Sequence, residues 1–216
     1  MATNTPKFSL SKQPSSKILF VLFLIPILTA HILFLAEIPS GLYLDESSIG
    51  YNAVSLIETG RDEHGAFLPI YPKSVGDYKN PVYVYASAVA LKVFGVSEFT
   101  LRFTSVIFYF CALAFTLLLI NRVFDKSQIV RLYALVTFGF LPMFFTISRI
   151  AFEVIAQLTW TSAGILSIWV AFHENDSKRA ILKALACGII LGTSTYTYST
   201  GRLLSFLGLA LLWVIY

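Results

Sequence analysis

The chain has 216 residues, 56% of them hydrophobic and 13% charged, about half the charged share of a soluble domain. With a mean hydropathy of +0.74, that balance excludes a soluble globular domain and marks an integral membrane protein. The net charge of +4 does not point to nucleic acid, because Lys and Arg in a membrane chain chiefly encode orientation.

Residues 1–17 are polar and Ser-rich, carry Lys7, Lys12 and Lys17, and read as a disordered cytoplasmic tail. Ile18 to about Ala36 is the first apolar span. It is longer than a signal-peptide core and no A-x-A site follows, so it reads as an uncleaved anchor. Pro39-Ser40-Gly41 breaks this helix. Asp45 then reads as the N-cap of a short surface helix, with two carboxylates at its positive end and Ile49, Ala53, Leu56 and Ile57 along one face. Gly60 ends it, and residues 61–81 are turn-rich.

Residues 82–94 are apolar but short, and Lys92 interrupts them. A helix of that length reaches about 20 Å, against a hydrocarbon core of about 30 Å. If this segment crossed the membrane, the basic loops Arg122–Arg131 and Lys178–Lys183 would lie outside. The positive-inside rule therefore makes it a second surface or re-entrant helix on the outer side. The later spans run Phe103–Asn121, Leu132–Ser148 with a kink at Pro142, Val154–Phe172, Ala180–Thr195 and Leu203 onward. The expected fold is an all-α integral membrane bundle of about six spans, with interfacial helices in a first outer loop over residues 37–102. Gly188 and Gly192 have the spacing that permits close helix approach. Cys111 and Cys187 sit in apolar runs and read as small buried hydrophobes. The Asn175-Asp-Ser177 sequon falls on the inner side and reads as chance. The chain ends within an apolar run, which reads as a truncation.

This topology collects Asp45, Glu46, Asp77, Lys79, Arg102, Arg149, Glu153 and Arg202 on the outer face, and ionisable groups at membrane segments are functional candidates. A carboxylate of Asp45-Glu46 can accept a proton from a hydroxyl or hold a divalent cation; the plainer reading is a helix cap. Lys79, in the Gly76-Asp-Tyr-Lys-Asn-Pro81 turn, suits a phosphate, against simple snorkelling; Asp77 can pair with it. Arg149 and Glu153 share a face if their helix is continuous, as an ion pair or as part of an anion site. Arg202 follows Tyr196-Thr-Tyr198 and a helix break at Gly201, as an anion ligand or as part of an interfacial hairpin. His64 reads as a solvent-exposed loop residue, and no metal-spacing motif is present.

Taken together, these residues resemble the GT-C type of multi-span, lipid-phosphate-dependent glycosyltransferases, which include protein O-mannosyltransferases and bacterial aminoarabinose transferases. The resemblance covers about residues 18–216 as the N-terminal part of such a domain. It rests on one span followed by Asp45-Glu46, then Thr59-Gly-Arg-Asp62, Gly76-Asp-Tyr-Lys-Asn-Pro81, Phe94-Gly-Val-Ser, Arg102, Ser148-Arg-Ile-Ala-Phe-Glu153 and Tyr196-Thr-Tyr…Arg202. It implies transfer of a sugar from a polyprenyl-phosphate carrier to a protein, lipid or glycan acceptor on the outer side, with inversion. Asp45, with Glu46 beside it, would match the catalytic acid pair, Asp45 acting as the base. Lys79, with Arg149 or Arg202, would hold the carrier phosphate, supported by Asp77, Tyr78 and Glu153. Some relatives use a divalent metal and others none, so no cofactor is named. The implied location is the plasma membrane, with the N-terminus cytoplasmic. The readings from other classes are half of a transporter or flippase, and a non-catalytic fragment.

Overall fold

The computed structural model describes residues 16–215. The expected tail therefore lies outside the described residues except for Ser16 and Lys17, which already belong to the first helix. The described elements are α1 (Ser16–Ile32), α2 (Leu44–Thr59), β1 (Lys73–Ser74), β2 (Asp77–Tyr78), α3 (Pro81–Phe94), α4 (Glu98–Val123), α5 (Gln128–Phe140), α6 (Pro142–Ser148), α7 (Val154–Phe172), α8 (Ser177–Ser194) and α9 (Ser199–Ile215). This is an all-α membrane fold. Its only sheet among the described residues is the antiparallel pair β1–β2, in which Lys73 faces Tyr78 and Ser74 faces Asp77.

Local chemistry accounts for most of the boundaries. Ser97 Oγ accepts the Thr100 N–H at 3.1 Å and starts α4, and Asp176 does the same for Arg179 N–H at 2.9 Å in α8. Gly60, at φ 69°, closes α2 in a left-handed conformation that a side chain would strain. Pro81 and Pro142 each open a helix, where their missing N–H costs nothing. Pro142 also bends α5 against α6 by 60°, the expected kink. Asp45 is not the cap of α2: Tyr43 holds that position, and Glu46, three residues on, reaches back to accept the Tyr43 N–H at 3.1 Å. Gly201 does not break a helix either. It lies inside α9, packed against Ser194 O and Gln157 Oε1 so closely that a Cβ would overlap both; the chain turns earlier, at 195–198.

α4 and α7 are each long and apolar enough to cross a membrane, and α5–α6 adds a third crossing if taken as one bent span. α1 and α9 have 17 described residues each, about 26 Å of helix against a core of about 30 Å. α8 is apolar apart from Lys178, Arg179 and Lys183 near its start. α3, at 14 residues, is short as expected. It packs its buried face, Tyr83, Val84, Ala88 and Leu91, on α2 and α4. The core runs from Ile27 of α1 through Ile49, Ala53 and Leu56 of α2 to Leu101, Tyr109 and Leu113 of α4, Leu135 of α5 and Ile155 of α7. Two packing expectations are overturned. A Cβ at Gly188 or Gly192 would meet nothing among the described residues, so their spacing closes no helix pair there. Cys187 is buried, but Cys111 lies exposed on α4, because helical rotation carries it off the buried face of Ala112 and Leu113.

Candidate active site

The site is built on the chain between α1 and α2, and two buried arginines hold that chain. Residues 33–43 make turns instead of helix, so their carbonyls need donors from elsewhere. Arg102, fully buried in α4, donates to the carbonyls of Leu35 (3.1 Å), Ala36 (3.2 Å), Pro39 (2.8 Å) and Gly41 (2.5 Å). Arg149, which follows α6, donates to Ala30 (2.6 Å), Leu33 (2.9 Å), Phe34 (2.9 Å) and Ile38 (3.0 Å). Glu46 completes the frame. Its carboxylate pairs with Arg102 Nε at 3.0 Å and accepts the Ala151 N–H at 2.8 Å, and the residue is 1% exposed.

Asp45 and Glu46, adjacent in sequence, face different cations. Glu46 turns inward to Arg102. Asp45 keeps a side chain 47% exposed, and its Oδ1 accepts a hydrogen bond from the buried Lys79 Nζ at 2.5 Å. Asp77 is the second acid near Lys79, its Oδ2 4.0 Å away, and it is mostly exposed, as is Tyr78 beside it.

Lys79 is placed by an ordered loop. Asp62, buried after α2, accepts the N–H groups of His64 (3.0 Å), Ala66 (2.9 Å) and Lys73 (3.1 Å). Burial works to raise the Asp62 carboxyl, but these backbone donors outweigh it and hold it below the usual carboxylate range. Asn52 Oδ1 accepts the Glu63 N–H at 3.2 Å, and Ser48 on α2 hydrogen-bonds Ser74 on β1. Pro72 O then accepts the Lys79 N–H at 2.8 Å, which sets the lysine over Asp45. His64 is exposed, with Nδ1 3.3 Å from Lys73 O.

Arg149 and Glu153 do not pair. The chain from 149 to 153 is not helical, so the four-residue spacing puts them on no common face. Glu153 instead accepts the backbone N–H (2.5 Å) and side-chain amide (2.8 Å) of Asn80, next to Lys79. Burial pushes its carboxyl up, against the pull of Asn80 and Lys79. Arg149 has no carboxylate in contact among the described residues. Its Nε, buried, has no hydrogen-bond partner among the described residues. It lines a cleft of about 380 Å³ with Asp45 and Glu46, between apolar walls that include Ile38, Pro39, Phe145, Ile150 and Phe152.

Arg202 stands apart from that cleft. It is exposed on α9, with its guanidinium 5.7 Å from the centre of the Tyr71 ring. Among the described residues no group of three His, Cys, Asp or Glu side chains could hold a metal ion. Sequence reasoning gave three residues no role, Asp62 and Asn80 although both stand in the motifs quoted above, and His31. Asn80 and Asp62 carried a signal, as turn-forming residues beside Pro81 and Gly65. His31 carried none: it is fully buried in α1, stacked on Tyr109 at 4.2 Å, with Nδ1 2.6 Å from Ser148 Oγ.

The family model described as dolichyl-phosphate-mannose-protein mannosyltransferase matches residues 62–216, which takes in Lys79, Arg149, Glu153 and Arg202 and stops short of Asp45 and Glu46. No curated protein and no solved structure matches the chain. The matched segment is most of the sequence and carries with it the helices long and apolar enough to cross a membrane, so the chain belongs to the dolichyl-phosphate-mannose-protein mannosyltransferase family, the membrane glycosyltransferases that use a polyprenyl-phosphate sugar.

Proposed function

We propose that this protein transfers a sugar from a polyprenyl-phosphate carrier to an acceptor hydroxyl on the outer face of the membrane, with inversion. The family points to mannose as the sugar and a protein as the acceptor. The observation that carries this reading is the contact of Asp45 with Lys79 at 2.5 Å, beside a cleft lined by the unpaired cation of Arg149. A buried cation without a counter-ion is costly, and an anion in the cleft relieves that cost. The carrier phosphate is such an anion, and the apolar walls suit the first units of a prenyl chain.

Asp45 is the base. As the acceptor oxygen attacks the anomeric carbon, Asp45 takes its proton, the bond from that carbon to the phosphate oxygen breaks, and the polyprenyl phosphate leaves with the electron pair. One displacement at one carbon inverts it. Lys79 turns from Asp45 to the phosphate, which frees the carboxylate for the proton and stabilises the leaving charge, while Arg149 fixes the other side of the cleft. Glu46, closed off by Arg102, positions Asp45 and takes no proton. The N-terminus is cytoplasmic, the cleft opens outward, and the plasma membrane is the site of action.

The test is Asp45→Asn in the full-length protein. Transfer falls by at least about a hundred-fold, while binding of the carrier lipid persists. Near-normal turnover of that variant would remove Asp45 from the chemistry.

A further inference from the structure

Beyond the cleft, the turn before α9 and the loop before β1 build a second feature that the transfer chemistry leaves unused. Tyr71 and Tyr196 stack with ring centres 5.8 Å apart. Arg202 covers Tyr71 at 5.7 Å, so the two rings and the guanidinium form one assembly. Tyr196 is 40% exposed and Arg202 is exposed. The ring attracts the guanidinium as a cation and takes none of its N–H groups as a hydrogen-bond partner. Arg202 makes no hydrogen bond or ion pair with any described residue.

Three links place this assembly next to the reacting groups. The residue after Tyr71, Pro72, accepts the N–H of Lys79, the partner of Asp45. Tyr196 O accepts the Val82 N–H at 3.5 Å, at the start of α3. Phe152, a wall of the cleft, lies 6.2 Å from the ring of Tyr198. The aromatic surface therefore begins where the cleft ends.

We propose that Tyr71, Tyr196 and Arg202 form the ledge on which the acceptor docks, and that it takes a polypeptide bearing a carboxylate close to the hydroxyl that receives the sugar. The proposal rests on the reading of the cleft as the carrier-phosphate site. With the phosphate held by Lys79 and Arg149, a second oxyanion binder outside the cleft reads the other substrate. The guanidinium edge matches a carboxylate with two parallel hydrogen bonds, and the tyrosine faces take the apolar parts of a peptide. Arg202 is thereby assigned to acceptor recognition and not to the carrier.

The experiment compares two synthetic Ser/Thr peptides, one with aspartates flanking the hydroxyl residue and one with asparagines in their place. Both are assayed with dolichyl-phosphate-mannose and the full-length protein in proteoliposomes. The native protein has a KM about ten-fold lower for the Asp peptide. Arg202→Gln raises that KM about ten-fold, removes the preference, and leaves the donor KM unchanged. Arg202→Lys restores only part of the preference, because a lysine keeps the charge without the planar two-pronged N–H edge. Tyr196→Ala raises KM for both peptides. A rise in donor KM with Arg202→Gln would return Arg202 to the carrier phosphate and overturn the proposal. Equal use of the two peptides by the native protein would overturn it too, leaving Arg202 a solvated surface cation. Equilibrium binding of both peptides to the Asp45→Asn protein separates this idea from the catalytic one. The preference persists there if the ledge is right, whatever that variant does to turnover.

Discussion

Glu46 Oε1 lies 3.0 Å from Arg102 Nε, with neither side chain open to solvent. The pair links the first turn of α2 to α4, and through Arg102 it ties both to the chain that descends from α1. Losing one partner strands the other charge in the interior. Glu46→Ala is therefore expected to lower stability by about 3–5 kcal/mol, with Glu46→Gln costing less because the amide still accepts from Ala151. Thermal unfolding in detergent measures this. A Glu46→Ala protein as stable as the native one would show that the pair contributes nothing to the frame.

Lys79→Ala is expected to weaken carrier binding more than acceptor binding. The ammonium faces Asp45 from a buried position, and no second lysine or arginine among the described residues shares that contact. Separate titrations with the carrier lipid and with an acceptor peptide check it. An equal loss of both would mean that the substitution damages the 61–79 loop as a whole.

Order in that loop depends on the ionised form of Asp62. Its folded-state pKa lies below the unfolded one, since three backbone N–H groups favour the charged form. The stabilisation is therefore complete above the ordinary carboxylate value near pH 4 and is lost as pH falls through the depressed value. Hydrogen-exchange protection of residues 61–79, measured relative to the free-chain rate at each pH, should stay high from neutral pH to about 5 and drop in stronger acid. Asp62→Asn should lower that protection at every pH; native-like protection in that variant would dismiss the hub.

Topology is open to a direct test. In a background without Cys111 and Cys187, Ser127→Cys should resist an impermeant thiol reagent added outside, whereas His64→Cys should react. Labelling of both positions would place α3 across the membrane, and labelling of residue 127 alone would invert the chain and turn the cleft inward.

Much of this molecule can be read from local pattern. The boundaries of α7, the bend at Pro142, the short α3 and the stop at Gly60 follow from apolar run length and from proline and glycine, which act on their own neighbours. The site is less legible because its contacts are not local. Adjacent acids such as Asp45 and Glu46 give no hint that one stays half exposed against Lys79 and the other is buried against Arg102. The spacing of Arg149 and Glu153 is informative only within a helix, and the chain there is not helical. His31 looks like any polar residue near the end of a span until Ser148 and Tyr109 close around it.

The carbonyl grip of Arg149 also bears on how the protein is made. Ala30 and Arg149 are 119 residues apart in sequence. A nascent chain that has delivered α1 and the Asp45 turn to the bilayer still lacks the donors that fix them. The turn can settle only after α4 has inserted and the α6–α7 corner has emerged and folded back against α1. Assembly of the candidate site is thus expected late in biogenesis, so a ribosome stalled before residue 149 would leave a membrane-inserted intermediate with an unformed cleft.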